Sequence, residues 1–290
     1  MAESFKDYSE RVAQGNNALL GWLCWYSVPD NLSIEHEEVF KILVKAGLGG
    51  HVPRRPQDGE VFRRVSTAAA RKRVATEDPQ VFENYLVRDM PGEDITRRIV
   101  CERVDANNRK LGYTEVAELA FNRKTAVVTC THLGTGSGKA GALIRDKICN
   151  DIKAEYEMNR GCLNGYAIRM LILRVLKEAC NATNVRYPSG GVYFVSEAHA
   201  GRLAALERLG EALSELGAVV HTLPLIDDKR QREMLRRAFE SESVDAIDSL
   251  LAEITDLKKS GKKITMDRYA SYVTQLNDLN TKTKQYTDLL

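Results

Sequence analysis

Apolar positions change period several times along the chain, and each period predicts a different element. Leu20 to Val28 is rich in aromatics and roughly alternating, which predicts a strand that Pro29, Asp30 and Asn31 end. Val39, Phe40, Leu43 and Val44 then recur at helical spacing. Ser33 is placed to cap this helix, Glu35, Glu37 and Glu38 suit the positive end of its dipole, and Gly47 stops it. After a loop with Pro53 and Pro56, a second helix is predicted from Gly59 to Val74, with Val61, Phe62, Val65, Ala68 and Ala69 along one side.

From Phe82 the period shifts to two. Strands are expected at 82–88, 97–105, 113–121 and 125–133, joined by the turn residues Pro91-Gly92, Ala106-Asn107-Asn108 and Asn122-Arg123. Turns this short allow only antiparallel pairing, because parallel neighbours need a crossover of about a dozen residues or more. The result is a β-meander.

Helical spacing returns over 139–158 and 163–180. A short strand at Val192 to Val195, a helix over 197–216 and a strand at Val219 to Ile226 follow, an order that suggests a βαβ crossover. The remainder reads as helix. Asp227 or Asp228 caps a segment through Phe239, Val244, Ile247, Leu251 and Ile254 mark the next, and Ser260-Gly261 makes a turn. Tyr269, Tyr272, Leu276, Leu279, Thr283, Tyr286 and Leu290 then repeat at alternating three- and four-residue steps, a coiled-coil seam. Residues 1–15 are polar and read as frayed or as a short helix. The expected class is α+β: an antiparallel β-meander packed by helices, a βαβ-like segment and a C-terminal helical hairpin. Residues 1–240 form the α+β domain, with a subdivision allowed near 134–140, and residues 241–290 form the hairpin.

Composition adds bounds. The apolar fraction of 43% in 290 residues suffices for a sizeable core. The net charge of +2 gives no global field for nucleic acid, so any basic surface has to be local. Cys24, Cys101, Cys130, Cys149, Cys162 and Cys180 contain no C-x-x-C pair and read as buried reduced thiols in a cytoplasmic setting. His36, His51, His132, His199 and His221 show no i,i+4 pair, so neither they nor the cysteines offer metal-ligand spacing. The apolar run before Val28 is about ten residues against the roughly 20 that span a bilayer. No basic segment with a cleavage site precedes it, so neither membrane insertion nor export is expected.

Three surfaces carry candidate chemistry. Arg54, Arg55, Arg63, Arg64, Arg71, Lys72 and Arg73 make the densest basic stretch, offset only in part by Asp58 and Glu60. It could contact phosphates, with salt-dependent binding, or be a solvated helix face. The helix carrying Lys229, Arg230, Arg232, Arg236 and Arg237 holds Glu233 and Glu240 within pairing distance and reads as solvated. Tyr269, Tyr272, Leu276, Leu279 and Tyr286 would face either the preceding helix or another subunit. Trp22, Trp25 and Tyr26 suit a core better than a base-stacking platform.

The run Gly134-Thr135-Gly136-Ser137-Gly138-Lys139 invites a nucleotide reading, with Gly134, Gly136, Gly138 and Lys139 around a phosphate. The pattern also needs Gly at position 133 and Ser or Thr at position 140, where Leu133 and Ala140 stand. A parallel strand before the loop would favour that reading, and a meander would disfavour it. No spacing suggests a catalytic triad or an acid–base pair, and no cofactor is implied.

The runs Trp25-Tyr26-Ser27-Val28, Val61-Phe62-Arg63-Arg64 with Ser66-Thr67-Ala68, Gly190 to Val195, and Pro224-Leu225-Ile226-Asp227 resemble an uncharacterised family of bacteria and their phages over most of the chain. That resemblance implies no activity. A basic helix, a meander and a long helix in this order also resemble the core of phage single-strand annealing proteins, by topology alone. The expected function is that of a non-enzymatic, self-associating phage or mobile-element protein contacting nucleic acid. The alternatives are a scaffold assembling through its C-terminal helices and a nucleotide-binding enzyme.

Overall fold

A computed structural model of the chain describes residues 19–92, 95–134, 138–186, 188–261 and 263–289. In chain order its elements are β1 (Leu19–Ser27), β2 (Ser33–Glu35), α1 (His36–Ala46), α2 (Asp58–Ala68), β3 (Arg71–Ala75), β4 (Val81–Asp89), β5 (Ile95–Asp105), β6 (Lys110–Asn122), β7 (Val127–His132), α3 (Gly138–Asn159), β8 (Cys162–Asn164), α4 (Gly165–Arg174), β9 (Thr183–Asn184), β10 (Tyr193–Ser196), α5 (Ala200–Ser214), β11 (Val219–Ile226), α6 (Lys229–Lys259) and α7 (Met266–Leu289). The class is α+β, as the periods predict. Contacts group the residues into two units: 33–36 with 54–163, and those up to 32 with 37–53 and 164–290. The boundary anticipated at 240 falls inside α6. The reading of residues 1–15 lies outside the described residues.

In the first unit β3, β4, β5, β6 and β7 form one antiparallel sheet in sequence order. Its core joins Val61, Phe62 and Val65 of α2 with Ile148, Ile152 and Tyr156 of α3, one face at four-residue steps, over Ile99, Leu119 and Phe121 of the sheet. Phe62 stacks on Phe121 at 5.6 Å and Tyr156 meets the same ring edge-on at 5.8 Å. The Tyr156 hydroxyl donates to the Ala126 carbonyl at 3.1 Å, and burial pushes its pKa up to about 12.

The helix expected through Val74 ends at Ala68, and Arg71–Ala75 is instead the edge strand β3. Two causes act together. The Ser66 and Thr67 hydroxyls bond back to the Phe62 and Arg63 carbonyls, a habit that weakens a helix. Backbone pairing with β4 then outweighs the helix propensity of Arg and Lys.

The cysteine reading also changes. Cys130 of β7 and Cys149 of α3, with Cα atoms 6.2 Å apart, form a disulfide. Cys24, Cys101, Cys162 and Cys180 are buried thiols, and burial pushes Cys24, Cys101 and Cys180 up to about 12.

In the second unit the sheet order is β11-β1-β10-β9. Both β10 and β11 run antiparallel to β1, so they are parallel to each other with β1 between them. The expected crossover through α5 therefore joins strands that are not neighbours. A Cβ on Gly21 of β1 would lie 2.2 Å from the Val195 carbonyl oxygen, so only glycine permits this approach.

The helical tail starts at the expected cap but is divided differently. Asp228 caps α6 by accepting from the Arg230 amide at 2.8 Å, and the helix runs 31 residues without the break anticipated after Phe239, since 240–243 contain neither Gly nor Pro. Tyr286 of α7 is buried against Phe239, stacked at 4.5 Å, and against Phe194, edge-on at 6.2 Å. Tyr272 is buried with Leu250 and Leu257. Among the described residues no helix is long and apolar enough to cross a membrane.

Candidate nucleic-acid interface

The basic stretch does not act as one surface. Arg54, Arg55 and Arg63 line a cavity of about 740 Å³ together with Arg123, from the turn between β6 and β7, and Arg160, just after α3. All five arginines are exposed. Ile95 and Phe121 lie beneath them, and Gly59 opens the first turn of α2 against Ile95. A Cβ at position 59 would come within 2.6 Å of the Ile95 side chain, so glycine keeps this corner of the cavity open.

Asp58 and Glu60 are the acidic residues in the lining. Asp58 pairs with Arg160 at 3.4 Å, and Glu60 lies 3.8 Å from Arg54 while accepting from the Gln57 amide at 3.2 Å. Among the described residues no carboxylate pairs with Arg55, Arg63 or Arg123. The positive end of the α2 dipole points the same way as their charge and favours an anion here.

The other basic residues are elsewhere. Arg64 is half-buried in α2, one of its terminal nitrogens has no hydrogen-bond partner, and burial lowers its pKa. Arg71 pairs with Asp151 at 3.3 Å. Arg73 lies over the Phe82 ring at 4.4 Å and donates to Asn108 Oδ1 at 3.1 Å, while Lys72 is exposed on β3. Four of the seven expected contacts, Arg64, Arg71, Lys72 and Arg73, are thus absent from the cavity. Arg123 and Arg160 enter it from turns that reading the chain segment by segment kept apart, although Asn122-Arg123 was already legible as a turn.

The helix at Lys229 differs. Lys229, Arg230 and Arg237 line a cavity of about 570 Å³, but Arg237 pairs with Glu233 at 3.0 Å, and the neighbouring Arg232 holds Asp227 at 2.5 Å. Two of its basic side chains are thus held by carboxylates, one of them within the helix.

Gly134 follows β7, the edge strand of an antiparallel sheet, so the parallel strand that a nucleotide loop calls for does not precede it. Gly134 instead fits closely against the Glu115 carbonyl, 2.9 Å from where a Cβ would stand. Gly138 and Lys139 open α3, and Gly136 lies outside the described residues.

Of the seam residues, Tyr272 and Tyr286 are buried and Leu279 is half-buried, whereas Tyr269 and Leu276 are exposed. The seam therefore splits. Tyr272, Leu279 and Tyr286, seven residues apart, face inward, whereas Tyr269 and Leu276, three residues before the first two, are exposed, as are Val244, Ile247, Leu251 and Ile254 of α6. Among the described residues one trio has metal-ligating atoms grouped together, Cys130, His132 and Cys149.

A family model, described as a family of unknown function (DUF6744), matches residues 19–290. No curated protein and no solved structure matches the chain.

Proposed function

We propose that this chain, which belongs to the DUF6744 family of unknown function and takes no activity from that membership, is a non-enzymatic, self-associating protein that binds the phosphate backbone of nucleic acid in the five-arginine cavity. The observation that carries the reading is the convergence of Arg54, Arg55, Arg63, Arg123 and Arg160 on one concavity, in a chain whose net charge is only +2. Guanidinium groups match phosphate oxygens two at a time, and a cluster of them favours a polyanion. Ile95 and Phe121 are buried beneath the arginines, leaving no exposed ring on which a base could stack. The reading assigns the contact to the phosphate backbone, where such clusters position a nucleic acid. A phage or mobile-element setting belongs to the same proposal, supported by the sequence resemblance.

Fluorescence anisotropy with single- and double-stranded oligonucleotides across a salt series tests it. The three arginines without a carboxylate partner each neutralise one phosphate, giving a log–log salt slope near about −2.7 on duplex and about −2 on single strands. Arg63→Glu with Arg123→Glu should remove most of that slope and of the affinity. Absence of binding at low salt, or binding indifferent to the double reversal, overturns the reading.

Self-association rests on a separate observation. Exposed Val244, Ile247, Leu251 and Ile254 keep the 3-4-3 spacing of a helical seam on α6, with Val273 and Leu276 exposed on α7. A second copy would cover such a stripe in a two-fold bundle. Light scattering should give an oligomer that Ile247→Asp with Leu251→Asp reduces in subunit count. A monomeric parent chain, or an oligomer unchanged by the substitutions, ends this part of the proposal.

A further inference from the structure

Cys130 and His132 stand two residues apart on β7, so their side chains leave the same face of the strand. Cys149 comes from α3, with Asp146 one helical turn before it on the same side. The two sulfurs and a ring nitrogen of His132 all lie within 4.8 Å of one another. A disulfide needs the two cysteines alone. The histidine beside it adds a third donor atom to the two sulfurs.

We propose that the reduced chain holds one zinc ion through Cys130, Cys149 and His132. Ligands of a tetrahedral zinc with Zn–S near about 2.3 Å and Zn–N near about 2.0 Å lie roughly 3.3–3.8 Å apart. Two sulfurs released from their bond separate to that range by side-chain rotation, with the strand and the helix left in place. Two thiolates and an imidazole favour zinc over magnesium or calcium, which prefer oxygen. Asp146 Oδ1 lies 3.4 Å from His132 Nε2 and is itself held by Arg145 Nη2 at 2.7 Å. A carboxylate fixed against the imidazole orients a metal-binding histidine from behind. Arg145 in turn donates to the Gly134 carbonyl at 2.5 Å, which anchors the carboxylate to the end of β7.

The chemistry balances simply. A small dithiol reduces the Cys130–Cys149 bond, supplying two electrons and two protons and becoming a cyclic disulfide. Zinc then displaces the two thiol protons. Cys130-x-His132 with a distant Cys149 has no regular ligand spacing, since half the site comes from a strand and half from a helix.

The test uses the full chain, reduced under nitrogen, stripped of metal and freed of reductant, with its thiols counted by a chromogenic disulfide. Cobalt titration should saturate at one ion per chain, with ligand-field bands of a tetrahedral site and a thiolate-to-cobalt charge-transfer band that zinc abolishes. Cys149→Ser should lose the charge-transfer intensity. Because Cys149 is buried and its replacement could unfold the unit, His132→Ala, at a half-exposed position, serves as the second variant and should bind with clearly lower affinity. Asp146→Asn should weaken zinc about 10–100-fold, as expected for a group behind the ligand. Fully reduced protein that takes up no cobalt, or takes it up equally after His132→Ala, overturns the proposal.

Discussion

Replacing Arg97 tests how the arginine cavity is held to its sheet. The residue is 5% exposed, and its guanidinium lies under the last turn of α2, the helix that presents Arg63. One terminal nitrogen faces the Arg63 carbonyl at 2.9 Å, Ser66 Oγ at 2.7 Å and Thr67 Oγ1 at 2.8 Å. That nitrogen carries two protons for three acceptors, so its contribution is about two charge-assisted bonds, roughly 1.5–3 kcal/mol each. The pair with Asp89, 2.9 Å from Nε, adds less, because the Asp89 side chain is 68% exposed. Burial lowers the Arg97 pKa, a sign that removing the guanidinium from water has a cost, which its deletion returns. Arg97→Met keeps most of the aliphatic stem and should lose about 1–3 kcal/mol net, within the range of a broken buried network. Urea melts should show a lower midpoint. Hydrogen exchange should show the amides of α2 losing protection ahead of those of β5, with weaker oligonucleotide binding as Arg63 loses its mount. A Met variant within about 0.5 kcal/mol of the parent, with α2 protection intact, refutes the reasoning.

Alkaline stability should depend on Tyr156. Its folded pKa is about 12 against the ordinary 10, so the unfolded chain gives up the phenolic proton first and stability falls as pH rises from about 10 to about 12. The fall approaches about 1.4 kcal/mol per pH unit at its steepest, and the stability of Tyr156→Phe, taken from urea melts at a series of pH values, should fall less steeply with pH by that amount. Tyr286→Ala removes the ring packed against Phe239 and Phe194 and should cost about 3–5 kcal/mol, read as a lower Tm with α7 cleaved early in limited proteolysis. An unchanged Tm and cleavage pattern would show that α7 is not held by this ring.

The parts legible in the sequence are those governed by local rules. The meander followed from period-two runs separated by turns too short for a crossover, and all four of its strands stand within three residues of their expected ends. The stretch Arg71–Ala75 was not legible, because its conformation is set by the edge of β4, and charged residues at an edge strand look like those of a helix surface. The cavity was half legible. Arg54, Arg55 and Arg63 are close in sequence, but Arg123 and Arg160 reach it only once the sheet and α3 are assembled. The trio at Cys130 was hidden for the same reason, since a strand-plus-helix constellation leaves no fixed spacing.

The position of β1 in its sheet has a consequence for synthesis. Its two partners, β10 and β11, follow it in sequence only after the whole of the 54–163 segment. Ser27 and Tyr193 are about 165 residues apart, so at roughly 5–20 residues per second a ribosome leaves β1 unpaired for roughly 8–33 s. Throughout that interval an apolar run containing Trp22 and Trp25 is exposed in the nascent chain while the meander is already able to fold. Among the described strands β1 is made first, yet it is among the last to find its partners.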